Sequence, residues 1–255
     1  MRVVKVGGRA QADPRLTYAL EDDWKASPGA LCVVHGGGDE ISAMQRTLGR
    51  EAAFIRGRRV TSREDLELLR MVLSGAVNKR LVGSLVAAGV PAVGLSGEDA
   101  GLIGAELIDA ATLGFAGRPV SVNVDLLRTL MNASYLPVIS PVGCDVMDSA
   151  GGALNVNGDD AAAAIASVLR ADELVLIADV QGVRDSNGEI VCNLSCDSAL
   201  ELIANGIASG GMAAKLESAQ AALTSGVPVV RICDLAGLND SERGTFITQS
   251  QSVAL

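Results

Sequence analysis

A lysine inside an apolar strand is costly to bury unless an anion meets it. Lys5 stands in such a run, Val3-Val4-Lys5-Val6, two residues ahead of the turn Gly7-Gly8. A second apolar run, Leu31-Cys32-Val33-Val34, leads into His35-Gly36-Gly37-Gly38. Glycines that follow a strand let backbone N–H groups approach an anion closely, at the carboxyl edge where open α/β sheets bind ligands. The chemistry on offer is the holding of a phosphate-like anion. Each glycine turn alone fits a tight strand-to-helix connection equally well, and Lys5 alone also fits the solvent face of an edge strand. No G-x-x-x-x-G-K-[ST] string and no G-x-G-x-x-G string occurs, so a Walker-type loop and a dinucleotide fingerprint are both disfavoured.

Other residue types exclude more than they suggest. Lys plus Arg is 21 and Asp plus Glu is 30, giving 21 − 30 = −9. So acidic a chain is a poor partner for nucleic acid or anionic lipid, and 2% aromatics leave few platforms for stacked bases. An anionic ligand must therefore be held by a few local cations and backbone amides. The cysteines are Cys32, Cys144, Cys192, Cys196 and Cys233. The pair Cys192/Cys196 has no second pair to complete a zinc site, and free buried thiols are the plain expectation. Met1-Arg2-Val3-Val4 already reads as a strand, so no secretory leader is expected, and no apolar run reaches the roughly 18 residues of a membrane span. A soluble cytoplasmic protein is expected.

These residues need an α/β frame, and the sequence alternates short β-rich runs with longer helical patterns. Strands are expected at Val3–Val6, Leu31–Val34, Ala92–Leu95, Leu136–Ile139, Leu174–Ala178 and Val229–Ile232. A helix is expected from about Pro14. Thr61 with Glu64 reads as a capping box opening one long helix toward Leu85, and Asp159 or Asp160 as the start of an alanine-rich helix to Leu169. Another helix spans Met212 to Leu223, and the Gly- and Pro-broken stretch from Leu102 to Asn123 suits hairpins laid over the sheet. The expected fold is a three-layer αβα sandwich on a largely parallel sheet. An N-terminal lobe over 1–165 and a C-terminal lobe over 166–255 would share that sheet.

Seven blocks in order resemble the acetylglutamate kinases of the amino-acid kinase family. They begin with Val4-Lys5-Val6-Gly7-Gly8 and Val34-His35-Gly36-Gly37-Gly38. Gly57-Arg58-Arg59-Val60-Thr61 follows, then Met71 to Lys79 with Gly94-Leu95-Ser96-Gly97. Asn155-Val156-Asn157-Gly158-Asp159, Asp179-Val180-Gln181-Gly182-Val183 and Gly210 to Lys215 complete the series. The likeness runs from Val3 to about Ile232.

The resemblance implies transfer of the ATP γ-phosphate to the side-chain carboxylate of an N-acylated glutamate, in arginine biosynthesis. It assigns Lys5 to the transferring phosphoryl group, Lys215 to the β,γ-bridge, and Asp159 to orienting both lysines. Gly8 and Gly37 would offer N–H groups to phosphate, with Gly7, Gly36 and Gly38 permitting the turns. Gly37, Gly38, Arg59 and Asn155 would meet the acyl amino acid, Arg59 by a bidentate grip on its α-carboxylate. Asp179, Val180, Gly182, Val183, Gly210, Gly211, Met212 and Lys215 would surround the nucleotide. Mg²⁺ would arrive with ATP and be held by phosphates and water, so no protein metal ligand is named. The attacking carboxylate is already ionised at neutral pH, so no general base is needed and His35 is read as structural.

Three departures qualify that picture. The arginine-inhibited members carry an N-terminal helix ahead of the first strand, and a fuller glycine-rich ending than Asn239 to Thr245. A homodimer without arginine feedback is therefore expected. The segment before Arg59 lacks the insertion of the kinases that act on carrier-bound aminoadipate. The basic cluster Arg56, Arg58 and Arg59 leaves room for a more anionic acyl group such as succinyl. A non-catalytic binding regulator is the competing class, against which Lys5, Asp159 and Lys215 are all present.

Overall fold

The computed structural model describes residues 1–249; residues 250–255, the end of the expected C-terminal lobe, lie outside the described residues. The strands are β1 (Arg2–Val6), β2 (Leu31–His35), β3 (Phe54–Ile55), β4 (Arg58–Arg59), β5 (Ala92–Ser96), β6 (Ile103–Leu107), β7 (Ala116–Val122), β8 (Leu136–Ser140), β9 (Val142–Asp145), β10 (Ala153–Val156), β11 (Glu173–Ile177), β12 (Asn193–Ser195), β13 (Val230–Cys233) and β14 (Thr245–Thr248). The α-helices are α1 (Arg15–Ala26), α2 (Gly38–Thr47), α3 (Arg63–Arg70), α4 (Asn78–Ala87), α5 (Ala110–Leu113), α6 (Val124–Asn132), α7 (Gly158–Leu169), α8 (Cys196–Ala204) and α9 (Gly210–Thr224).

Among the described residues, eight strands form the main sheet in the order β12-β14-β13-β11-β1-β2-β8-β5, and only the β13–β14 pair is antiparallel. Side chains alternate across such a sheet, so continuous apolar strands must be covered on both faces. Val3, Cys32, Val34, Leu174, Leu176, Val230 and Ile232 pack beneath the alanine-rich α7 and α9. Val4, Val6, Leu31, Val33, Val175 and Ile177 pack on the other face with Leu16 and Leu20 of α1 and Leu81 and Leu85 of α4. The three-layer sandwich expected from the sequence is the one observed. Lys5 shares the Val3 face, under α7, and a Cβ placed on Gly158 at the head of that helix would lie 3.2 Å from Lys5 Cε.

The stretch expected as hairpins holds β6 and β7, paired antiparallel around the short α5. With β9 and β10 these strands close a small four-stranded circuit beside the main sheet. Residue 165 falls within α7.

Three local expectations need correction. The capping box is Ser62 with Asp65, one residue beyond the Thr61/Glu64 reading. Thr61 is committed elsewhere: its backbone bridges Leu113 and Phe115, and its hydroxyl donates to the Arg59 carbonyl. The single long helix is also interrupted, because Met71–Val77 is a π-helical segment between α3 and α4. Finally, α7 starts at Gly158, one residue ahead of Asp159, and its cap is Asn157, whose side chain accepts from the Asp159 amide and leaves the Asp159 carboxylate free to turn inward.

Candidate functional site

Two cavities meet at the carboxyl edge of β1 and β2, and Gly8 and Gly38 line both. The glycine loops face one another closely. A Cβ on Gly8 would lie 3.6 Å from the Gly38 amide nitrogen, and one on Gly36 would lie 3.8 Å from the Gly8 amide nitrogen. Any side chain there would fill the space over those amides. Gly37 has a different reason: its Cβ would come 2.6 Å from Leu73 Cδ2, on the π-helical segment.

Between the cavities sits a compact charged cluster. Asp159 Oδ1 accepts from Lys5 Nζ at 2.9 Å and from Lys215 Nζ at 3.0 Å. Lys5 and Asp159 are 9% and 6% exposed, so the pairing is largely shielded from water. Burial alone would raise the Asp159 carboxyl, but the two ammonium groups outweigh it and hold it down at about 2. Lys215 is pushed below its usual range, first by burial and then by the charge of Lys5. Two ammonium groups against one carboxylate leave one net positive charge.

The smaller cavity, about 190 Å³, opens from Lys5 toward Arg59, Asn155, Leu69, Leu73 and Ile108. Arg59 is 7% exposed and is held by neutral acceptors: Gln45 Oε1 at 2.6 Å, the Gly38 carbonyl at 2.9 Å and Ser42 Oγ at 2.9 Å. Its guanidinium also lies over the Phe54 ring, 4.7 Å from the centroid. Burial pulls its pKa below the usual arginine range. Gln45 is itself anchored, its Nε2 donating to Asp65 at 2.8 Å. Asn155, which lines this cavity, donates to the Thr61 hydroxyl at 2.8 Å, and that bond anchors its amide.

The other cavity, about 410 Å³, is lined by Gly7, Gly8, Arg9, Asp179, Val180, Gly211, Met212 and Lys215. Asp179 is exposed there and pairs with Arg9 at 3.0 Å. Gly182 and Val183 are not brought to it. Val183 is buried in the core and donates its amide to Thr245 Oγ1, and a Cβ on Gly182 would strike that same oxygen at 2.6 Å. Gly210 lies off the wall as well, with its carbonyl turned to the 56–57 hairpin turn.

His35 is fully buried. Its Nδ1 pairs with the Gly36 carbonyl at 2.8 Å and its Nε2 with Asn78 Nδ2 at 3.0 Å, and burial pushes the ring down to about 4. It braces the second glycine loop. Cys32 and Cys233 are buried, their thiols raised to about 12 and about 11 by loss of solvation, whereas Cys192 is exposed and departs from the expectation of buried thiols. Among the described residues no cluster of three His, Cys, Asp or Glu could hold a metal ion, and no helix is long and apolar enough to cross a membrane.

Sequence reasoning missed Gln45, Ser42 and the Arg58–Asp160 ion pair. Gln45 and Ser42 sit one turn apart on α2, which follows directly from the second glycine loop. That placement was the only available signal.

Known proteins resemble the chain over most of its length. The chain is 46% identical over 235 residues to the acetylglutamate kinase of Paracoccus denitrificans, covering 91% of this chain and 76% of that protein. It is 41% identical to the acetylglutamate kinase of Methanopyrus kandleri over 97% of this chain and 100% of that protein. A solved Streptococcus mutans structure superposes with a TM-score of 0.87 at 29% identity, over 98% of both chains. The profile of the Amino acid kinase family matches residues 1–234. Residues matched by that profile carry the whole Lys5–Asp159–Lys215 cluster and the Arg59 cradle, and the chain belongs to the amino acid kinase family.

Proposed function

We propose that the chain transfers the γ-phosphoryl group of ATP to the side-chain carboxylate of N-acetyl-L-glutamate, in arginine biosynthesis. The observation that carries this is the buried cluster of Lys5, Asp159 and Lys215, net positive, set between two cavities that share Gly8 and Gly38. Phosphoryl transfer asks mainly for in-line positioning and neutralised charge. With the nucleotide in the larger cavity and the acceptor in the smaller, the carboxylate oxygen attacks phosphorus as the bond to the bridging oxygen breaks. ADP leaves and an acyl phosphate remains.

Lys5, on the acceptor side, meets the transferring oxygens, and Lys215, on the nucleotide side, meets the charge that grows on the bridge. Asp159 holds the two ammonium groups at fixed positions. The amides of Gly8 and Gly37 are read as phosphate donors, and the Gly38 amide, 3.6 Å from where a Gly8 Cβ would lie, is placed to join them. Mg²⁺ belongs with the nucleotide: Asp159 is committed to the lysines, so phosphate oxygens and water supply its ligands. Residues 1–165 then carry the acceptor and phosphate loops, and residues 166–255 complete the nucleotide side.

Arg59 suits an α-carboxylate, because its own partners are neutral and leave its positive charge for the ligand. The apolar wall of Leu69, Leu73 and Ile108 suits a small acyl group. An anionic acyl group finds less support, since Arg58 is paired with Asp160 and Arg56 is exposed and does not line the cavity. The same reading includes a cytoplasmic homodimer, which sedimentation at micromolar concentration checks.

The test is a panel of acetylglutamate, succinylglutamate, aminoadipate and aspartate in a coupled ADP-release assay. The highest kcat/KM is expected for acetylglutamate. ATP binding with no turnover on any acceptor would favour a binding regulator, and a higher value for succinylglutamate would reassign the acyl group.

A further inference from the structure

Arg58 and Arg59 are neighbours on β4, so their side chains leave on opposite faces. Arg59 enters the acceptor cavity, and Arg58, which also borders that cavity, forms an ion pair with Asp160. Asp159 and Asp160 divide in the same way. Asp159 holds the lysines, and Asp160 accepts from Arg58 and from Ser218 Oγ, the latter at 2.7 Å. Ser218 is on α9, one turn beyond Lys215. The hairpin turn reaches the same helix. Gly57 is left-handed, with φ of +75°, and a Cβ there would lie 3.3 Å from the Gly210 carbonyl and 3.4 Å from Ala214 Cβ.

The hairpin is short. Among the described residues Phe54–Arg59 and Ile55–Arg58 pair across it, with one more bond from the Val60 amide to the Ala53 carbonyl at 2.9 Å, and Phe54 and Ile55 are exposed. Besides the close approach of Gly57 to α9, two polar points set its position over the acceptor cavity, the Arg59 cradle and the Arg58–Asp160–Ser218 tie. Both charges of that tie are partly shielded, with side chains 25% and 16% exposed, so the pair is worth more than a surface contact.

We propose that Asp160 is a positioning residue that fixes the Arg59 hairpin to the helix carrying Lys215, and so sets the affinity for the acyl acceptor. The proposal rests on the kinase reading above, because it takes the hairpin's cavity as the acceptor site. Asp160 touches neither substrate in this account. It acts through Arg58 and through the lie of the hairpin on α9.

Asp160→Asn keeps the size and the Ser218 contact but removes the charge; Arg58→Gln removes the other end. Losing one charge-assisted hydrogen bond predicts a rise in acetylglutamate KM of about tenfold in either variant. Changes in kcat and in the ATP KM are expected to stay within about twofold, since uniform binding alone is lost. The double variant is expected to be no worse than either single one, as for partners in one interaction. Hydrogen exchange in the ligand-free protein reads the tie without any substrate, and the amides of 54–59 should exchange about tenfold faster in both variants. Unchanged exchange, multiplicative effects in the double variant, or equal losses for both substrates would overturn the proposal, as would faster exchange with an unchanged acetylglutamate KM. A wild-type protein with no turnover would instead defeat the kinase reading, while the exchange comparison still decides the tie.

Discussion

The lysine centre and the arginine cradle both bury positive charge, and they satisfy it in opposite ways. At the centre, ammonium groups from β1 and α9 share one carboxylate from α7, so charge answers charge. At the cradle, Arg59 is surrounded by an amide oxygen, a hydroxyl and a backbone carbonyl, so dipoles answer charge. The first arrangement fixes geometry firmly but leaves only part of its positive charge for a ligand. The second leaves the guanidinium without a directly paired carboxylate of the chain, so it can pair with one from a ligand, at the cost of a weaker hold in its absence. Phosphoryl transfer needs the first, and recognition of a small anionic acceptor needs the second.

The contrast can be broken most severely at Asp159. Asp159→Ala strands two buried ammonium groups, and a stability loss of about 3–5 kcal/mol is expected in urea unfolding. A near-neutral result would show that the lysines do not depend on it. Lys5→Ala removes a transition-state contact, and kcat should fall by about a hundredfold or more with folding retained. Arg59→Lys keeps charge but gives up the planar fork, so acetylglutamate KM should rise by roughly ten- to a hundredfold with little change in the ATP KM. An equal rise in both would move Arg59 out of the acceptor site.

The pH dependence separates the centre from the histidine behind the second loop. His35, the one histidine of the chain, has its folded pKa lowered from 6.5 to about 4. The unfolded chain then binds the extra proton first, so stability is full above pH 6.5 and declines as pH falls toward 4. Linkage gives a loss of roughly 2 kcal/mol between pH 6.5 and 5, which His35→Gln should abolish. Asp159 contributes in a lower window. Its depressed pKa gives stability that is present above 3.8 and lost as pH falls toward 2. The smallest effect is expected at Gln45. Gln45→Met withdraws one neutral acceptor from Arg59, and a rise of about fivefold in acetylglutamate KM with unchanged kcat is expected.

Legibility in the sequence followed the same division. Lys5 announced itself because an ion in a β-run is conspicuous, and β2, β8 and β11 were plain apolar strands. Lys215 and Asp159 lie far apart in the chain, and no spacing rule joins them; only the ordered resemblance did. The capping box slipped by one residue because Thr61 and Ser62 both suit the role locally. Thr61 is taken by its bridge to the segment around Gly114, a contact fifty residues away that sequence does not display. The π-helical turn at Met71–Val77 was invisible too, since the spacing of its apolar residues does not distinguish it from α-helix. The cradle was the least readable part. Gln45 and Ser42 are ordinary polar residues of an amphipathic helix until Arg59 is folded onto them.

The most direct test traps the product. The protein is incubated with Mg-ATP, N-acetyl-L-glutamate and hydroxylamine, and hydroxamate is measured against ADP. Equal amounts of hydroxamate and ADP, lost together in Lys5→Ala, are the predicted result. ADP release without hydroxamate, or hydroxamate formed undiminished by Lys5→Ala, would contradict the account.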